Sequence, residues 1–312
     1  MNNEPDRCYI AFDVGGHYIK SAVLGNDDRI MADTYAVFPA NSTKSKAEII
    51  DHLVSLIALQ AKKLTDISMR VAGIGYAFPG PFDYASGVSH IRGIDKYDDL
   101  YGINIHQEIM EAVSRNTELS GILADDFRIV FENDARLFAL GELHAGKAAR
   151  YTRSVCLTIG TGAGSAFLEG GKLILDRHDV PPSGWIFNEP YGTTVVDDYV
   201  SKRGIMRMAA DMGLRDIGRD VDYLAGLASC GDKQAIELFQ AFGKTVGDAL
   251  NPFINRFAPE ALIIGGQIAK SLKLFADGIR SALDDKSIAI ETAEETSLSA
   301  FIGVARLLGS SL

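Results

Sequence analysis

The sequence is poor in the residues that hold several classes of protein together. Its 312 residues include only three cysteines and one tryptophan, and 31 basic residues face 41 acidic ones. Cys8, Cys156 and Cys230 lie far apart and form no Cys-x-x-Cys pair. Neither a disulfide framework nor a thiolate zinc cluster is therefore expected, and the chain has the composition of a reduced, cytoplasmic protein.

Long hydrophobic runs are also missing. No stretch approaches the roughly 20 apolar residues that cross a bilayer, and the polar residues 1–7 contain no apolar region of a signal peptide. The net charge of −10 has the wrong sign for a surface that neutralises the phosphates of a nucleic acid. We therefore expect no membrane insertion, no secretion and no nucleic-acid partner.

The chain does contain enough apolar residues for a large core. Hydrophobic residues make up 47% and charged residues 23%, which is ordinary for a folded protein. At about 100–200 residues per domain, the length predicts two domains. Hydrophobic periodicity predicts helices at 49–64, 103–114 and 234–257, and a strand at 71–77. Helices and strands alternate, which predicts an α/β fold.

Two glycine-rich turns, each between two predicted strands, are the most informative local feature. They lie in residues 13–20 (DVGGHYIK) and 160–164 (GTGAG), and a third pair, Gly265 and Gly266, follows another predicted strand. Glycines let backbone N–H groups approach an anion, through a positive φ or the absence of a Cβ. The second turn is not a Rossmann fingerprint, because a strand follows it, and not a P-loop. A single such turn fits a plain structural hairpin equally well.

Residues 132–134 (END) join a predicted strand to a predicted helix. A carboxylate at such a junction is well placed to accept the proton of a substrate hydroxyl, which makes Asp134 a candidate general base. The residues alone favour another interpretation, in which Asn133 or Asp134 only caps the helix.

Six motifs occur in the order found in a known family. DVGGHYIK, FPGPFD, FENDA, IGTGAG, PEALIIGG and FIGVARL together resemble the ROK family of bacterial sugar kinases and sugar-responsive repressors. The resemblance spans most of the chain. It implies an α/β, two-lobed actin-like ATPase (ribonuclease H-like) fold with an interlobe cleft for ATP and sugar. The lobes are expected at residues 1–125 with a returning helix at 302–312, and at residues 126–301.

The resemblance also implies an activity. The implied activity is that of an ATP- and Mg²⁺-dependent kinase that phosphorylates a primary, C6-type hydroxyl of a hexose or hexose derivative. The implied oligomeric state is a homodimer. With the family match, Asp134 becomes the general base and Asp13 organises Mg²⁺ through water. The implied sugar-binding residues are Gly80, Asn133, Asp134 and Asp197. The implied ATP-binding residues are Asp13, Gly15, Gly16, Lys20, Thr161, Gly162, Gly265 and Gly266.

The chain departs from the family where many members bind zinc. Those members carry Glu-x-Gly-His and then a cysteine cluster, whereas the corresponding residues here are 182–185 (PSGW) and 191–199 (YGTTVVDDY). Without Cys or His, this segment is not expected to hold zinc. Asp197 lies about where the family has a sugar-binding glutamate. Alternatively, Asp197 and Asp198 are simply acids in the first turn of a helix.

Two other functions are alternatives to the kinase. Sugar-sensing repressors of the family carry a helix-turn-helix domain before the first phosphate motif, and only twelve residues precede Asp13 here, so that domain is not expected. The second alternative is a non-catalytic sugar or nucleotide binder, since the family's Glu and His are missing. The identity of the sugar, its hydroxyl and any donor other than ATP stay open.

Overall fold

The structure, a computed structural model, describes residues 6–64, 69–93, 95–214 and 220–309. The chain divides into two compact units: unit 1 contains residues 1–141 and 297–312, and unit 2 contains residues 142–296. Each unit has its own five-stranded sheet. The extreme ends of the lobe predicted from the sequence, residues 1–5 and 310–312, lie outside the described residues.

The sheet of unit 1 has the strand order β3-β2-β1-β4-β7. Strands β1, β2 and β3 pair antiparallel, whereas β4 runs parallel to β1 and β7 runs parallel to β4. A separate short ribbon is formed by β5 and β6. The strands are β1 (Arg7–Val14), β2 (Tyr18–Gly25), β3 (Ala36–Pro39), β4 (Arg70–Ala77), β5 (Phe82–Asp83), β6 (Val88–Ser89) and β7 (Leu123–Glu132).

Helices cover both faces of this sheet, because successive residues of a strand point to opposite faces. Ile10 and Phe12 of β1 pack in the cluster that contains the first two helices, and Tyr9 and Ala11 pack in the cluster that contains the last helix. The helices are α1 (Lys46–Ala61), α2 (Ile105–Arg115), α3 (Thr117–Ser120), α4 (Asp134–Ala145) and α10 (Thr296–Gly309), and α4 and α10 each reach across the unit boundary.

The unit boundaries differ from those expected from the sequence. Residues 126–141, expected in the second lobe, belong to unit 1. Of these, residues 126–132 lie in β7 and complete the sheet of unit 1. Phe131 of β7 stacks on Tyr76 of β4 with ring centroids 4.9 Å apart, so the strand shares the core of unit 1. Residues 297–301 also belong to unit 1 with the rest of α10.

Glycines bring α4 and α10 into close contact within unit 1. A Cβ on Gly141 would collide with the backbone of Ser299, and a Cβ on Gly303 would collide with the backbone of Leu137. The two helices therefore pack backbone to backbone, which fixes α10 relative to the start of α4.

Unit 2 repeats the sheet arrangement of unit 1. Its order is β10-β9-β8-β13-β14, with β8, β9 and β10 antiparallel and β13 and β14 continuing in parallel. In each unit the predicted glycine turn joins the first two strands of the sheet, so both predicted strand-turn-strand segments are confirmed. The strands are β8 (Arg153–Ile159), β9 (Ala163–Glu169), β10 (Lys172–Ile174), β11 (Pro190–Tyr191), β12 (Thr194–Val195), β13 (Ala261–Gly265) and β14 (Ala289–Thr292).

The core of unit 2 is built on one long helix. Its buried side chains recur at helical spacing, as in Leu238, Phe242 and Val246, which is why the sequence predicted it. The helices are α5 (Val196–Tyr199), α6 (Lys202–Asp211), α7 (Val221–Ser229), α8 (Lys233–Phe257) and α9 (Leu272–Ala282). In the described ranges, no helix combines the length and apolar character needed to cross a membrane.

Candidate functional site

The first hairpin, formed by β1, residues 15–17 and β2, is a tight turn held by its own backbone. The Gly15 amide donates to the Tyr18 carbonyl at 2.9 Å, and a Cβ on Gly15 would lie 2.9 Å from that same oxygen. Neither Gly16 nor its counterpart Gly162 has a positive φ, so of the two reasons for a glycine only the absence of a Cβ applies at these positions. What these two positions require is space.

The acid and the lysine of the first hairpin are already linked. Lys20 Nζ donates to Ser297 Oγ at 2.7 Å, and Ser297 Oγ donates to Asp13 Oδ2 at 2.8 Å. The direct distance from Lys20 Nζ to Asp13 Oδ2 is 3.8 Å. The buried hydroxyl of Ser297, in the first turn of α10, thus joins the candidate magnesium residue to its counter-charge. The sequence analysis missed Ser297, because no motif precedes that helix.

Two further residues hold the carbonyl groups of the turn. Tyr97 Oη donates to the Gly15 carbonyl at 2.9 Å, and Ser42 Oγ donates to the Gly16 carbonyl at 2.6 Å. The Tyr97 amide in turn donates to the Ser42 carbonyl at 2.6 Å. With both carbonyls bound from behind, the turn is fixed before any ligand arrives. Neither residue belongs to a motif that would identify it from the sequence alone.

Asp134, the candidate base, is the first residue of α4. Its side chain is open to solvent on one side, yet desolvation by the surrounding protein and the negative charge of Asp13 raise the pKa of this carboxyl to about 6. A hydrogen bond from the Ala135 amide, at 2.8 Å, opposes the shift. A carboxyl with this pKa is mostly ionised at neutral pH and still accepts a proton readily.

Asn133 is the cap of α4, as the alternative interpretation proposed. Its Oδ1 accepts from the amides of Ala135 and Arg136 at 3.1 and 3.3 Å. The amide Nδ2 points the other way and donates to Tyr84 Oη at 3.4 Å. Capping therefore orients Asn133 and leaves its Nδ2 on the side of Tyr84.

Gly80 lies beside the same tyrosine. A Cβ on Gly80 would be 3.4 Å from Tyr84 Oη, and Tyr84 Oη itself donates to the Phe78 carbonyl at 2.9 Å. Burial raises the pKa of Tyr84, so it stays a neutral donor. Unit 1 therefore brings together Gly80, Asn133 and Asp134 around a tyrosine that the sequence analysis did not identify.

The second hairpin, formed by β8, residues 160–162 and β9, is held by a carboxylate. Asp197 Oδ1 accepts from the Ala163 amide at 2.6 Å, and a Cβ on Gly162 would lie 2.7 Å from the same oxygen. The Gly160 amide donates to the Gly162 carbonyl at 2.9 Å, and the Thr161 side chain is exposed at the tip. Asp197 thus occupies one of the turn's backbone donors.

Asp197 has a second partner that is not evident from the sequence. Arg203 of α6 contacts Asp197 Oδ2 at 2.6 Å and Asp198 Oδ1 at 3.3 Å. Both acids lie in the first turn of α5, as the alternative interpretation proposed. A sugar contact by Asp197 stays a prediction, and its two oxygens are bound to Ala163 and Arg203 in the structure.

Gly265 is the last residue of strand β13 in unit 2, and Gly266 follows it. Gly266 has a φ of 91°, and a Cβ there would meet the backbone of Ile159, with 2.7 Å to its amide nitrogen. The Gly266 amide donates to Thr296 Oγ1 at 2.7 Å. Here a glycine is required by the backbone itself.

The acidic pair of unit 1 is suited to a cation. Asp13 and Asp134 repel each other enough to contribute to the raised pKa of Asp134, and a divalent cation would relieve that repulsion. Within the described part of the chain, Asp13 Oδ1 carries no hydrogen bond, so it remains available to a metal-bound water. The same part of the chain has no group of three or more His, Cys, Asp or Glu residues that resembles a closed metal site.

The duplicated sheets define an α/β protein of the actin-like ATPase class. The sequence model of the ROK family matches residues 9–307. The chain belongs to the ROK family.

Three relatives illustrate the range of the family. The chain is 23% identical to an N-acetyl-D-glucosamine kinase of Haemophilus influenzae, over 84% of each chain. It superposes on a Streptomyces griseus ROK glucokinase in complex with glucose and AMPPNP with a TM-score of 0.69, at 21% identity over 96% of this chain and 98% of the other. A ROK family transcriptional regulator, a homologue of the E. coli MLC protein, gives a TM-score of 0.78 at 17% identity, over 98% of this chain and 79% of the other.

Proposed function

We propose that the protein is an ATP- and Mg²⁺-dependent sugar kinase that transfers the γ-phosphate to a primary hydroxyl of a hexose or hexose derivative. The observation that carries this proposal is the position of Asp134: its carboxyl lies at the start of α4, next to the capping Asn133, where burial and the charge of Asp13 raise its pKa. The kinase names of relatives in the family support it.

Asp134 would act as the general base. As the hydroxyl oxygen of the sugar forms its bond to the γ-phosphorus, the hydroxyl proton passes to the Asp134 carboxylate, and the bond to the β-phosphate oxygen breaks to release ADP. With a pKa of about 6, this carboxyl is about nine-tenths ionised at pH 7. It then holds the proton well enough to assist the attack.

Asp13 is the residue of unit 1 that would hold Mg²⁺ through a water molecule. When bound, Mg²⁺ neutralises part of the charge on the phosphates. Ser297 and Lys20 keep Asp13 Oδ2 in place and leave Oδ1 free for the water shell. Asp13 also raises the pKa of Asp134, so the two acids have separate tasks.

The remaining groups would bind substrate. We propose that Asn133 Nδ2, held by the cap at its other end, donates to a sugar hydroxyl, and that the backbone at Gly80 borders the same substrate. Asp197 is proposed as a further sugar contact only if its bonds to Ala163 and Arg203 open. The groups proposed for ATP are Gly15, Gly16 and Lys20 in unit 1 and Thr161, Gly162, Gly265 and Gly266 in unit 2.

A non-catalytic ROK binder is the second candidate. Two observations favour it: the likeness in fold to a regulator, and the use of Asp197 inside the second hairpin instead of as a free carboxylate. Such a protein would bind sugar or nucleotide without turnover.

A coupled assay of ADP release over a panel of hexoses, amino sugars and β-glucosides with Mg-ATP separates the two candidates. If the protein is a kinase, at least one sugar stimulates ADP release. The variant Asp134→Asn then abolishes this ADP release, while calorimetry still detects ATP binding. If the protein is a non-catalytic binder, calorimetry detects binding of a sugar or a nucleotide, and no sugar leads to ADP release. Metal analysis after dialysis, sedimentation and cell fractionation test the expected lack of zinc, the homodimer and the cytoplasmic location, which stay predictions.

A further inference from the structure

A second lysine of unit 1 lies directly on the first hairpin. The side chain of Lys96 packs against Gly16, so closely that a Cβ on Gly16 would lie 2.7 Å from both Cε and Nζ. Lys96 is half-buried, and it follows the proline- and glycine-rich segment 78–93. Its ammonium group is therefore next to the turn where we propose that phosphate binds.

The lysine of the hairpin motif is occupied, whereas Lys96 is not. Lys20 donates to Ser297 at 2.7 Å and lies 3.8 Å from Asp13. Across the described ranges, Lys96 has neither a carboxylate at ion-pair distance nor a hydrogen bond from Nζ. A half-buried ammonium without a counter-charge is unfavourable, because it has lost water and gained no anion. Lys96 is therefore the cation at this turn that still lacks a partner.

The backbone on both sides of Lys96 is strained. Asp95 and Tyr97 have φ values of 56° and 59°, a region that side chains other than glycine rarely adopt. The strain is held in place by the bond from Tyr97 Oη to the Gly15 carbonyl and by the bond from the Tyr97 amide to the Ser42 carbonyl. Strained residues of this kind persist where the surrounding structure fixes them and concentrate at binding sites. Here the two strained residues flank the lysine that packs on Gly16.

We propose that Lys96 is a second phosphate-binding cation of the first hairpin, beside Lys20, and that it contacts the terminal phosphate of ATP. This assignment rests on the proposed kinase function. An ammonium group offers three donors and a full charge to phosphate oxygens, and a turn already fixed by Tyr97 and Ser42 gives it a constant position. Nothing in the sequence motif indicates Lys96, because it lies 80 residues from Gly16 in the chain.

The test compares Lys96→Met with Lys44→Met by calorimetric titration of ATP, ADP and AMP. Methionine keeps the length of the lysine stem, so the packing on Gly16 is retained. Lys44 is a matched control in unit 1, with a side chain 56% exposed and 3.9 Å from Glu48. We expect Lys96→Met to weaken ATP binding roughly 10- to 100-fold and AMP binding not at all, because a charge-assisted hydrogen bond to the terminal phosphate is lost. Lys44→Met should match the wild type, and Lys96→Arg should recover most of the ATP affinity.

A second measurement uses the wild-type protein and needs no folded variant. Acetylation by an N-hydroxysuccinimide ester, followed by peptide mass spectrometry, should show that ATP protects Lys96, that AMP does not, and that neither protects Lys44. Equal labelling of Lys96 with and without ATP, or equal ATP affinity of Lys96→Met and Lys44→Met, would overturn the assignment. The assignment would also be overturned if Lys96→Met bound a hexose 6-phosphate more weakly but ATP normally, since Lys96 would then contact the sugar product.

The same experiments separate this proposal from the kinase function. If wild type phosphorylates a sugar and Lys96→Met binds ATP normally, only the Lys96 assignment is wrong. If wild type binds ATP through Lys96 but phosphorylates no sugar in the panel, the kinase function is wrong and the phosphate contact is supported. If wild type binds no ATP at all, both are overturned.

Discussion

The two hairpins share a backbone plan and differ in the charge placed against it. At the first hairpin, a half-buried lysine lies on Gly16 and the neighbouring acid is linked to Lys20 through Ser297. At the second, a carboxylate accepts from the backbone of the turn at 2.6 Å and is paired with Arg203. One turn presents a cation, whereas the other already holds an anion.

The two hairpins show that a shared backbone conformation does not determine the charge around a turn. At the first hairpin, Tyr97 and Ser42 bind the two carbonyl groups of the turn, and the ammonium group of Lys96 lies on Gly16. Such a turn is suited to bind a phosphate. At the second hairpin, the corresponding backbone donor is the Ala163 amide, and it is already bound to a carboxylate oxygen of the protein, Asp197 Oδ1. The two loops are therefore similar in backbone, and the side chains around them decide which charge each loop presents.

The largest effect is expected at the acid beside the first hairpin. Asp134→Asn should lower kcat roughly 10²- to 10⁴-fold, because the proton acceptor is lost while the shape is kept. In wild type, kcat/KM should fall below pH 6 as this carboxyl is protonated. Steady-state kinetics between pH 5 and 8 is the measurement. A variant that keeps more than about a tenth of wild-type kcat would remove Asp134 from the role of base.

The next largest effect is expected at Gly266, which directly follows β13 and contacts the second hairpin at Ile159. Gly266→Ala should lower the free energy of unfolding by roughly 2–5 kcal/mol, since it combines a φ of 91° with a backbone collision at Ile159. Gly160→Ala is the control, because a Cβ there meets nothing within 4 Å. Urea unfolding should show a lower midpoint for the first variant only. Equal midpoints would contradict the argument.

The carboxylate of the second hairpin should contribute to stability. Asp197→Ala should cost roughly 1–3 kcal/mol, as it removes a charged acceptor from the Ala163 amide and leaves Arg203 without one partner. Asp197→Asn keeps an oxygen at the same place and should cost less. Thermal unfolding ranks the two variants. If both unfold like wild type while sugar affinity collapses, Asp197 is a sugar ligand and not an anchor of the turn.

A smaller effect concerns stability against pH. The folded pKa of Asp134, about 6, exceeds the unfolded value near 3.8. The charged form is therefore the unfavourable one in the folded protein, and stability is lost as pH rises from about 4 to 6 and stays lower above that. Asp134→Asn avoids this loss. We expect it to melt above wild type at pH 7.5 and together with wild type near pH 4.

The smallest effect on stability is expected at Gly16. Gly16→Ala needs only the flexible Lys96 side chain to move, and no positive φ is involved. The free energy of unfolding should change by less than about 1 kcal/mol. ATP affinity should nevertheless fall, since Lys96 is displaced from the turn. Chemical denaturation and calorimetry on one preparation test both parts, and unchanged ATP affinity would contradict the second.

Much of the fold is predictable because it depends on local patterns. The apolar period of α8 and the two strand-glycine-strand segments each specify their element without distant partners. The boundary expected between residues 125 and 126 was wrong, because the apolar segment around Phe131 is typical of any short strand and does not indicate which sheet it joins. The parallel pairing of β7 with β4 and the stacking of Phe131 on Tyr76, 55 residues away, assign β7 to unit 1.

The candidate site was predictable only where it coincides with a motif. Asp13, Asn133 and Asp134 lie within motifs, whereas Ser297, Tyr84 and Lys96 reach the site from loops and a helix distant in sequence. A single serine or lysine has no pattern of its own, and its importance follows from what the folded chain places against it. Asp197 was found by alignment, but its two bonds depend on the fold of α5 and α6.

The anchoring of α10 limits how the chain can change in length. Ser297 reaches Asp13 from the first turn of that helix, and Gly303 faces Leu137 less than two turns later. Each residue added or removed between them rotates the two positions by about 100° relative to one another. Insertions and deletions inside residues 297–303 would therefore break either the contact with the acid or the helix crossing. Sequence drift in this segment is restricted to substitutions.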